Sequence, residues 1–381
     1  MKIFLITSSR ADFGLLKNLI FQFKKNSFFD LKIIVTGTHL SKKHGYSFNE
    51  IRSEKLKVYK KIFITNNTKS PTSLLNDMNI LSKNISSLIK KEKPDLFIVL
   101  GDRYEVFAAS LAAYISKVPI AHIHGGELTE GSLDDGFRHC ITKMSNLHFV
   151  SHKIYKKRII QLGEHPSTIY NVGALGVENI HKTNFLNKEI LKDYLKIDLK
   201  KDTLLVCMQP EIEKQPTTNL VNETLAALED YQDKNIVFTM PGADLFNDII
   251  IKKIISFTKK KNNCFVFKTL GSHKYLSLLR CVDVIIGNSS SGIIEMPTFK
   301  KYTINIGNRQ NGRLKADSII DVLPDRILIR QAINKIYNAK LNKKKINNPS
   351  KKLNTSKEIF SIIKNVNLKK YRTKKFYDIL S

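Results

Sequence analysis

Val282-Asp283-Val284-Ile285-Ile286-Gly287-Asn288-Ser289-Ser290-Ser291-Gly292-Ile293-Ile294-Glu295 is the stretch on which the reading of the fold turns. Its apolar, β-branched opening suits a strand covered on both faces, as in parallel sheets. Gly287 and Asn288 allow a sharp turn, and the serines then supply an N-cap and bare backbone N–H groups where a helix begins. Such a helix start carries partial positive charge and unpaired donors, so it seats an anion such as a diphosphate. An ordinary capped strand-to-helix turn produces the same pattern, and the choice between the two rests on the rest of the chain.

The same alternation extends outward over most of the sequence. Strand-like runs fall at 3–7, 31–36, 96–100, 119–123 and 147–150, and again at 204–208, 236–240, 264–267, 282–286 and 302–306. Helical periodicity occupies 13–25, 71–91, 105–116, 135–144 and 356–363. In the second of these, Leu74, Leu75, Met78, Leu81, Ile85, Leu88 and Ile89 form one apolar stripe. Strands alternating with helices predict parallel sheets covered on both faces. The rhythm pauses over 176–201, a polar, lysine-rich segment with room for one short helix at best. At 381 residues the chain is too long for one ordinary core. We therefore expect an α/β protein of two Rossmann-like, doubly wound domains, divided near 170–185, with ligand in a cleft between them.

The formal charge of +29 comes mostly from lysine, since the chain has only eleven arginines. Arginine is the side chain suited to phosphate forks and base edges. No helix-turn-helix, zinc-finger or RNP pattern occurs, so no nucleic-acid partner is expected. An anionic small substrate would still be drawn by the field. Cys140, Cys207, Cys264 and Cys281 are widely spaced and form no CxxC, which predicts no metal site and a reducing, cytoplasmic setting. No apolar run approaches the ~18 residues of a membrane span, and residues 1–7 are too short for a signal-peptide core, so no membrane partner is expected.

Polar clusters gather after the strands, where open parallel sheets bind ligands. Ser8-Ser9-Arg10-Ala11-Asp12-Phe13-Gly14 follows the first strand without a GxGxxG fingerprint, and no P-loop occurs anywhere. Arg10 either reaches toward a diphosphate or pairs with Asp12. Gly101-Asp102-Arg103 sets a carboxylate and a guanidinium at a strand end. Asp102 there is either an acid–base or hydroxyl-orienting group or half of a structural pair with an arginine. In His122-Ile123-His124-Gly125-Gly126-Glu127, a period of two puts both histidines on one face, toward the ligand. The spacing is poor for tetrahedral metal, and acid–base work by at least one of these residues is the better expectation. Asp134-Asp135 opens a helix, which favours its dipole and also offers paired carboxylates. Gln209-Pro210-Glu211 and Pro241-Gly242-Ala243-Asp244 end strands of the second half. Arg309 and Arg313 follow the last of those strands, on a loop near the serine turn.

Taken together, SSRADFG, TGTHLS, VLGDRYE, IAHIHGGELTEGSLDDGFRHCITKMSNLHFVS, GNSSSGIIEMP and TINIGNRQNGRLKADS resemble the UDP-N-acetylglucosamine 2-epimerase family. The closest branch resembles the hydrolysing enzymes that supply N-acetylmannosamine or related sugars for sialic or legionaminic acid-type nonulosonates. The stretches lie between Ser8 and Ser318, in family order. The resemblance implies the GT-B fold, with an N-terminal sugar-side domain over 1–172, a nucleotide-side domain over 173–355, and a C-terminal segment 356–381 returning to the first. It implies a UDP-linked 2-acetamido sugar as substrate, no cofactor, and a homodimer or homotetramer. By match to the family's motifs, Ser289, Ser290, Gly292, Glu295 and Arg309 belong to the uridine diphosphate site, and Arg10, His39 and Arg103 to substrate binding. Asp102 and Asp134 match catalytic residues. His124 stands where the family often has Glu, Gln209 where it usually has His before Pro, and Gly242 where Asn is common. The expectation is that His124 and Glu127 together replace the missing carboxylate. A glycosyltransferase of the same fold and a non-catalytic sugar-nucleotide sensor are the alternatives.

Overall fold

The computed structural model describes residues 1–67, 70–338, 346–371 and 373–379. Residues 339–345 of the expected second domain, and 372, 380 and 381 of the expected C-terminal segment, lie outside the described residues. By its contacts the chain divides into two units. The first comprises 1–127, 133–181 and 350–381; the second comprises 128–132 and 182–349. This division falls at 181/182, where the sequence reading set it at 172/173.

The first unit holds a parallel sheet of β1 (Lys2–Thr7), β2 (Asp30–Val35), β3 (Val58–Lys61), β4 (Leu96–Leu100), β5 (Ile120–Ile123), β6 (Leu147–Val150) and β7 (Ile169–Asn171). Its spatial order is β3-β2-β1-β4-β5-β6-β7. The second holds β8 (Thr203–Cys207), β9 (Asn235–Thr239), β10 (Cys264–Phe267), β11 (Val284–Gly287), β12 (Tyr302–Ile306) and β13 (Ile319–Val322), in the order β10-β9-β8-β11-β12-β13. Each order runs outward from its first strand in both directions, so each sheet has a switch point. It lies between β1 and β4 in the first unit and between β8 and β11 in the second. Ligands of doubly wound sheets sit at such points, beyond the carboxyl ends of the strands.

Alternation along the strands explains why both faces of the first sheet are dry. Ile3 and Leu5 of β1, with Leu96, Ile98 and Leu100 of β4, enter one core together with Phe13, Leu16 and Phe23. Phe4 and Ile6, with Phe97 and Val99, enter a second core with Leu81, Ile85 and Ile89. The helices have evident starts. Helix Arg10–Lys24 opens with a capping box in which Ser9 and Asp12 serve each other's backbone N–H. Helix Pro71–Glu92 opens with Ser70 as cap and proline at its first position.

The segment 176–201 differs from expectation. It contains two helices, Leu175–Lys182 and Lys188–Leu195. Leu191 and Leu195 give the second its buried side, while Ile190 and Tyr194 lie exposed among its charged residues and mask the pattern. Further on, helix Thr355–Asn365 packs in the first unit against helix Arg10–Lys24. Ile359 and Ile363 are fully buried there, worth about 1.5–3 kcal/mol each relative to exposure. Phe360 stands 5.4 Å from Phe23 and 5.5 Å from Phe29, ring centre to ring centre. Ser356 donates from its N–H and its hydroxyl to the Glu178 carboxylate, both at 2.8 Å.

Candidate active site

At the end of β1, Asp12 is an organiser and not a partner for Arg10. Its carboxylate accepts from Thr7 Oγ1 (2.6 Å), Ser8 N (2.8 Å) and Ser9 N (2.9 Å). Burial alone would raise its pKa, but His39, Thr7 and Ser8 outweigh it and hold the group below the usual range. His39 is fully buried, with Nε2 2.9 Å from Thr7 Oγ1 and Nδ1 2.9 Å from Ser47 Oγ. Both ring nitrogens are thus engaged inside the protein, and His39 braces the first-strand turn. Arg10 is the first residue of the following helix.

The β4 end also differs from the simplest reading. Asp102 does not pair with its neighbour Arg103. It forms an ion pair with Nη2 of Arg138, on helix Asp134–Met144. Arg103 Nε donates to the buried Glu105 at 3.1 Å. Arg138 is only 2% exposed, and its Nη1 donates to the Glu127 carbonyl at 3.0 Å and lies 3.5 Å from Asp135. The planar fork of one guanidinium therefore joins the β4 turn, the β5 turn and the start of the helix.

His122 and His124 do not share a face. β5 ends at Ile123, and His124 takes φ 66°, a left-handed conformation that costs a non-glycine residue energy. This reversal ends the period-two alternation. His122 is buried, with Nε2 2.8 Å from the Gly101 carbonyl and Nδ1 3.2 Å from Thr142 Oγ1. A carbonyl only accepts, so Nε2–H donates and Nδ1 takes the Thr142 hydroxyl proton. Burial pushes the His122 pKa down to about 3, so the ring is a neutral brace under the Asp102 turn.

His124 is oriented differently. Its Nδ1 lies 3.2 Å from Glu127 Oε1, and the same oxygen accepts from Ser151 Oγ at 2.9 Å. Both members of the pair are nearly buried, at 7% and 3% exposure. Nε2 of His124 is buried and has no hydrogen-bond partner among the described residues. A carboxylate on Nδ1 fixes the tautomer and leaves Nε2 to exchange a proton. Gly125 permits the turn to lie close, since a Cβ there would stand 2.9 Å from both His122 Nδ1 and Thr142 Oγ1. Asp134, half-buried, is the first residue of the helix that carries Arg138.

In the second unit, the switch point is built around Asn288. Gly287, paired with Cys207, has φ 133°, and a Cβ there would lie 2.2 Å from the Cys207 carbonyl oxygen. Asn288, fully buried, accepts from Gln209 N (2.7 Å) and donates to Gln209 O (2.9 Å). Its own carbonyl accepts from Gln310 Nε2 (2.8 Å) and Arg309 Nη1 (3.4 Å). One asparagine thereby ties the end of β11 to that of β8 through its side-chain amide and to the loop after β12 through its backbone carbonyl. Ser289 caps the short helix Ser290–Ile294, and Gly292 lies against Thr303, whose hydroxyl donates to its carbonyl at 2.8 Å. Tyr275 donates to Ser291 Oγ at 2.9 Å. Glu295 follows that helix as its C-cap.

Gln209 Oε1 accepts from the Gly242 backbone N–H at 3.0 Å, so two of the residues that depart from the family pattern form one link. Burial raises the pKa of Glu211, against the opposing N–H groups of Asn308 and Arg309 and the Arg309 charge. This places a carboxylate directly behind the Arg309 loop. Sequence reasoning gave Arg138 no role and read Asn288 only as a turn residue. The available signal was an arginine three residues after Asp135, and an asparagine inside the serine turn.

Among the described residues, no group of three or more His, Cys, Asp or Glu side chains is arranged to hold a metal ion. No helix among them is long and apolar enough to cross a membrane.

The family model for UDP-N-acetylglucosamine 2-epimerase matches residues 22–364. A GDP/UDP-N,N'-diacetylbacillosamine 2-epimerase (hydrolyzing) of Campylobacter jejuni is 40% identical over 84% of each chain. The polysialic acid biosynthesis protein P7 of Escherichia coli is 35% identical over 99% of this chain and 97% of its own. Among solved structures, the UDP-GlcNAc 2-epimerase of Neisseria meningitidis bound to UDP-GlcNAc superposes with a TM-score of 0.83 at 18% identity, covering 96% of this chain and 100% of that one. That likeness shows the fold, two Rossmann-like units of the GT-B class.

Proposed function

Because the chain belongs to the UDP-N-acetylglucosamine 2-epimerase family, we propose that it is a hydrolysing 2-epimerase of a UDP-linked 2-acetamido sugar. It converts the sugar nucleotide and water to UDP and the free 2-epimer, of the N-acetylmannosamine type, for nonulosonate synthesis. Either UDP-N-acetylglucosamine or a 4-acetamido-6-deoxy relative such as UDP-N,N'-diacetylbacillosamine is the substrate; the second is favoured by the names of the relatives.

The chemistry explains what the residues must do. C2 of such a sugar has no adjacent carbonyl, so its proton is not acidic until the anomeric C–O bond breaks. The diphosphate departs with that bonding pair, and the sugar becomes oxocarbenium-like. Ser289, Ser290 and Arg309 receive the developing negative charge. C2 then loses its proton, and the C–H electrons form the C1–C2 double bond of a glycal. A proton added to C2 from the opposite face, with water oxygen bonding to C1 and its surplus proton passing to the group that protonated C2, completes the free epimer.

In this reading Nε2 of His124 takes the C2 proton, with Glu127 stabilising the imidazolium that forms. The observation that carries it is the buried Nε2 without a protein partner, on a strained residue whose other nitrogen is held by a carboxylate. Asp102, ion-paired to Arg138, orients water or a sugar hydroxyl, and Asp134 supplies the returning proton. Arg10 and Glu295 contact the nucleotide sugar, while His39, Arg103, Gln209 and Gly292 shape the turns that hold it. The reading includes a homodimer or homotetramer in the cytoplasm, and light scattering of the purified chain gives the mass that tests the assembly.

The test of the activity is incubation with each UDP-sugar and no acceptor. UDP release with an NMR-identified 2-epimer is the expected result. Tight binding without UDP release would refute the proposal.

A further inference from the structure

After β8 the chain turns through Gln209-Pro210-Glu211 and enters helix Lys214–Leu228. The Glu211 backbone is fixed to that helix. Its N–H donates to Thr217 Oγ1 at 3.0 Å, and the fully buried Thr217 hydroxyl donates to the Glu213 carbonyl at 2.8 Å. The Glu211 carboxylate is fixed to the loop after β12. It accepts from the backbone N–H groups of Asn308 and Arg309 and from the side-chain amide of Asn288. Gly307, just before them, has φ 76°, and Glu211 Oε1 lies 2.4 Å from where a Cβ at this position would stand. Successive N–H groups after a left-handed residue form a concavity suited to an anion. Here the anion that fills it belongs to the protein. Burial pushes the Glu211 pKa up, and the N–H partners and the Arg309 charge offset this only in part, so the carboxylate is kept in place at a cost.

We infer that Glu211 is a positioning residue for the diphosphate: by filling the backbone nest at Asn308 and Arg309 it holds the arginine loop against the Asn288 turn. This rests on the epimerase reading, in which Arg309 receives the diphosphate. Every contact that carries it lies within the second unit. Arg309 Nη1 and Gln310 Nε2 both donate to the Asn288 carbonyl, at 3.4 and 2.8 Å, and Asn311 N donates to Asn308 O at 2.9 Å to close the loop on itself. The loop is thus held by the Glu211 carboxylate and by the Asn288 carbonyl, and the Arg309 guanidinium works from a fixed base. At the ligand, two effects of the carboxylate oppose each other. Its negative charge repels a diphosphate, whereas its grip on the loop N–H groups aligns the guanidinium. The grip prevails, because an arginine–phosphate fork depends on geometry, while the charge of a half-buried carboxylate is screened by water and by Arg309 itself. Without the carboxylate, two backbone N–H groups lose their acceptor and the loop must rearrange to satisfy them.

The experiment uses the full chain as wild type, Glu211→Ala, Glu211→Gln, Arg309→Ala and the double variant Glu211→Ala with Arg309→Ala. UDP affinity is read by titration calorimetry and uridine affinity by NMR titration. Uridine lacks the diphosphate, so it reports the nucleoside part of the site alone. Glu211→Ala should weaken UDP binding on the order of 10-fold, the loss of one well-aligned charge-assisted hydrogen bond, with uridine binding unchanged. Glu211→Gln keeps one acceptor oxygen and should weaken UDP less; it serves if the alanine variant does not fold. In the Arg309→Ala background, Glu211→Ala should add no further loss, since the two act as one unit. Unchanged or tighter UDP binding in the folded Glu211 variants overturns the inference, the second because the carboxylate would then act only as a repelling charge. Equal losses for UDP and uridine overturn it as well, by making Glu211 merely structural, and so does a full 10-fold loss that persists without Arg309. A wild-type chain that binds UDP but releases none from a UDP-sugar sinks the epimerase reading and leaves this inference to the binding data. A wild-type chain that binds no UDP sinks both.

Discussion

Replacing Arg138 with alanine removes the charge that the Asp102 carboxylate faces and a donor to the Glu127 carbonyl. Arg138 is 2% exposed and the Asp102 side chain 19%, so water reaches the carboxylate only in part. Breaking a buried pair from one side costs about 3–5 kcal/mol, because the remaining charge is left uncompensated. The partial exposure of Asp102 argues for the lower end, about 3 kcal/mol. Loss of the donor to Glu127 O acts in the same direction but shares the same relaxation, so the two costs do not add in full. Against a typical domain stability of about 5–15 kcal/mol, the variant should fold but unfold at clearly lower urea. The double variant Arg138→Met with Asp102→Asn leaves no orphan charge and should recover part of the loss. Urea unfolding at pH 7 of Arg138→Met, Asp102→Asn and their double gives the coupling. Arg138→Ala within about 1 kcal/mol of wild type, as for an exposed pair, would refute the claim that this guanidinium holds the three turns together.

The buried neutral His122 makes a second prediction, on acid stability. Its folded pKa of about 3 lies below the ordinary 6.5, so between those values the unfolded chain binds a proton that the native chain does not. Its contribution is intact above pH 6.5 and is lost as pH falls toward 3, by at most about 1.4 kcal/mol per pH unit. His122→Asn should flatten that slope in urea titrations from pH 7 to pH 4; an unaltered slope would show that another group sets it. Glu127→Gln and His124→Asn should each lower turnover by about 10²–10⁴-fold with the thermal midpoint nearly kept. The double variant should be no slower than the worse single, since the two act as one unit; full turnover in both singles would remove them from the reaction.

The central strands were legible in the sequence because β1, β4, β8 and β11 are covered on both faces and read as apolar runs. The strands missed, β3, β7 and β13, are all sheet edges. β3 reads Val-Tyr-Lys-Lys with its lysines exposed, and β7 has three residues, so neither carries a buried-strand signal. Motif positions showed which strand ends carry chemistry but not which side chains meet there. Asp102 has an arginine next to it in sequence, yet the pair forms with Arg138 on a different element. The alternation that put His122 and His124 on one face failed at a single left-handed residue. Neither a long-range partner nor a reversal of φ is encoded in the local period.

The return of helix Thr355–Asn365 to helix Arg10–Lys24 has a consequence for how the chain is made. The second unit, apart from residues 128–132, is contiguous and precedes the partner of Phe23 and Phe29 in the order of synthesis. The core around Ile20, Phe23 and Phe29 is closed only when Ile359, Phe360 and Ile363 have been made. Synthesis order and folding order are therefore crossed: the half translated first is the half finished last.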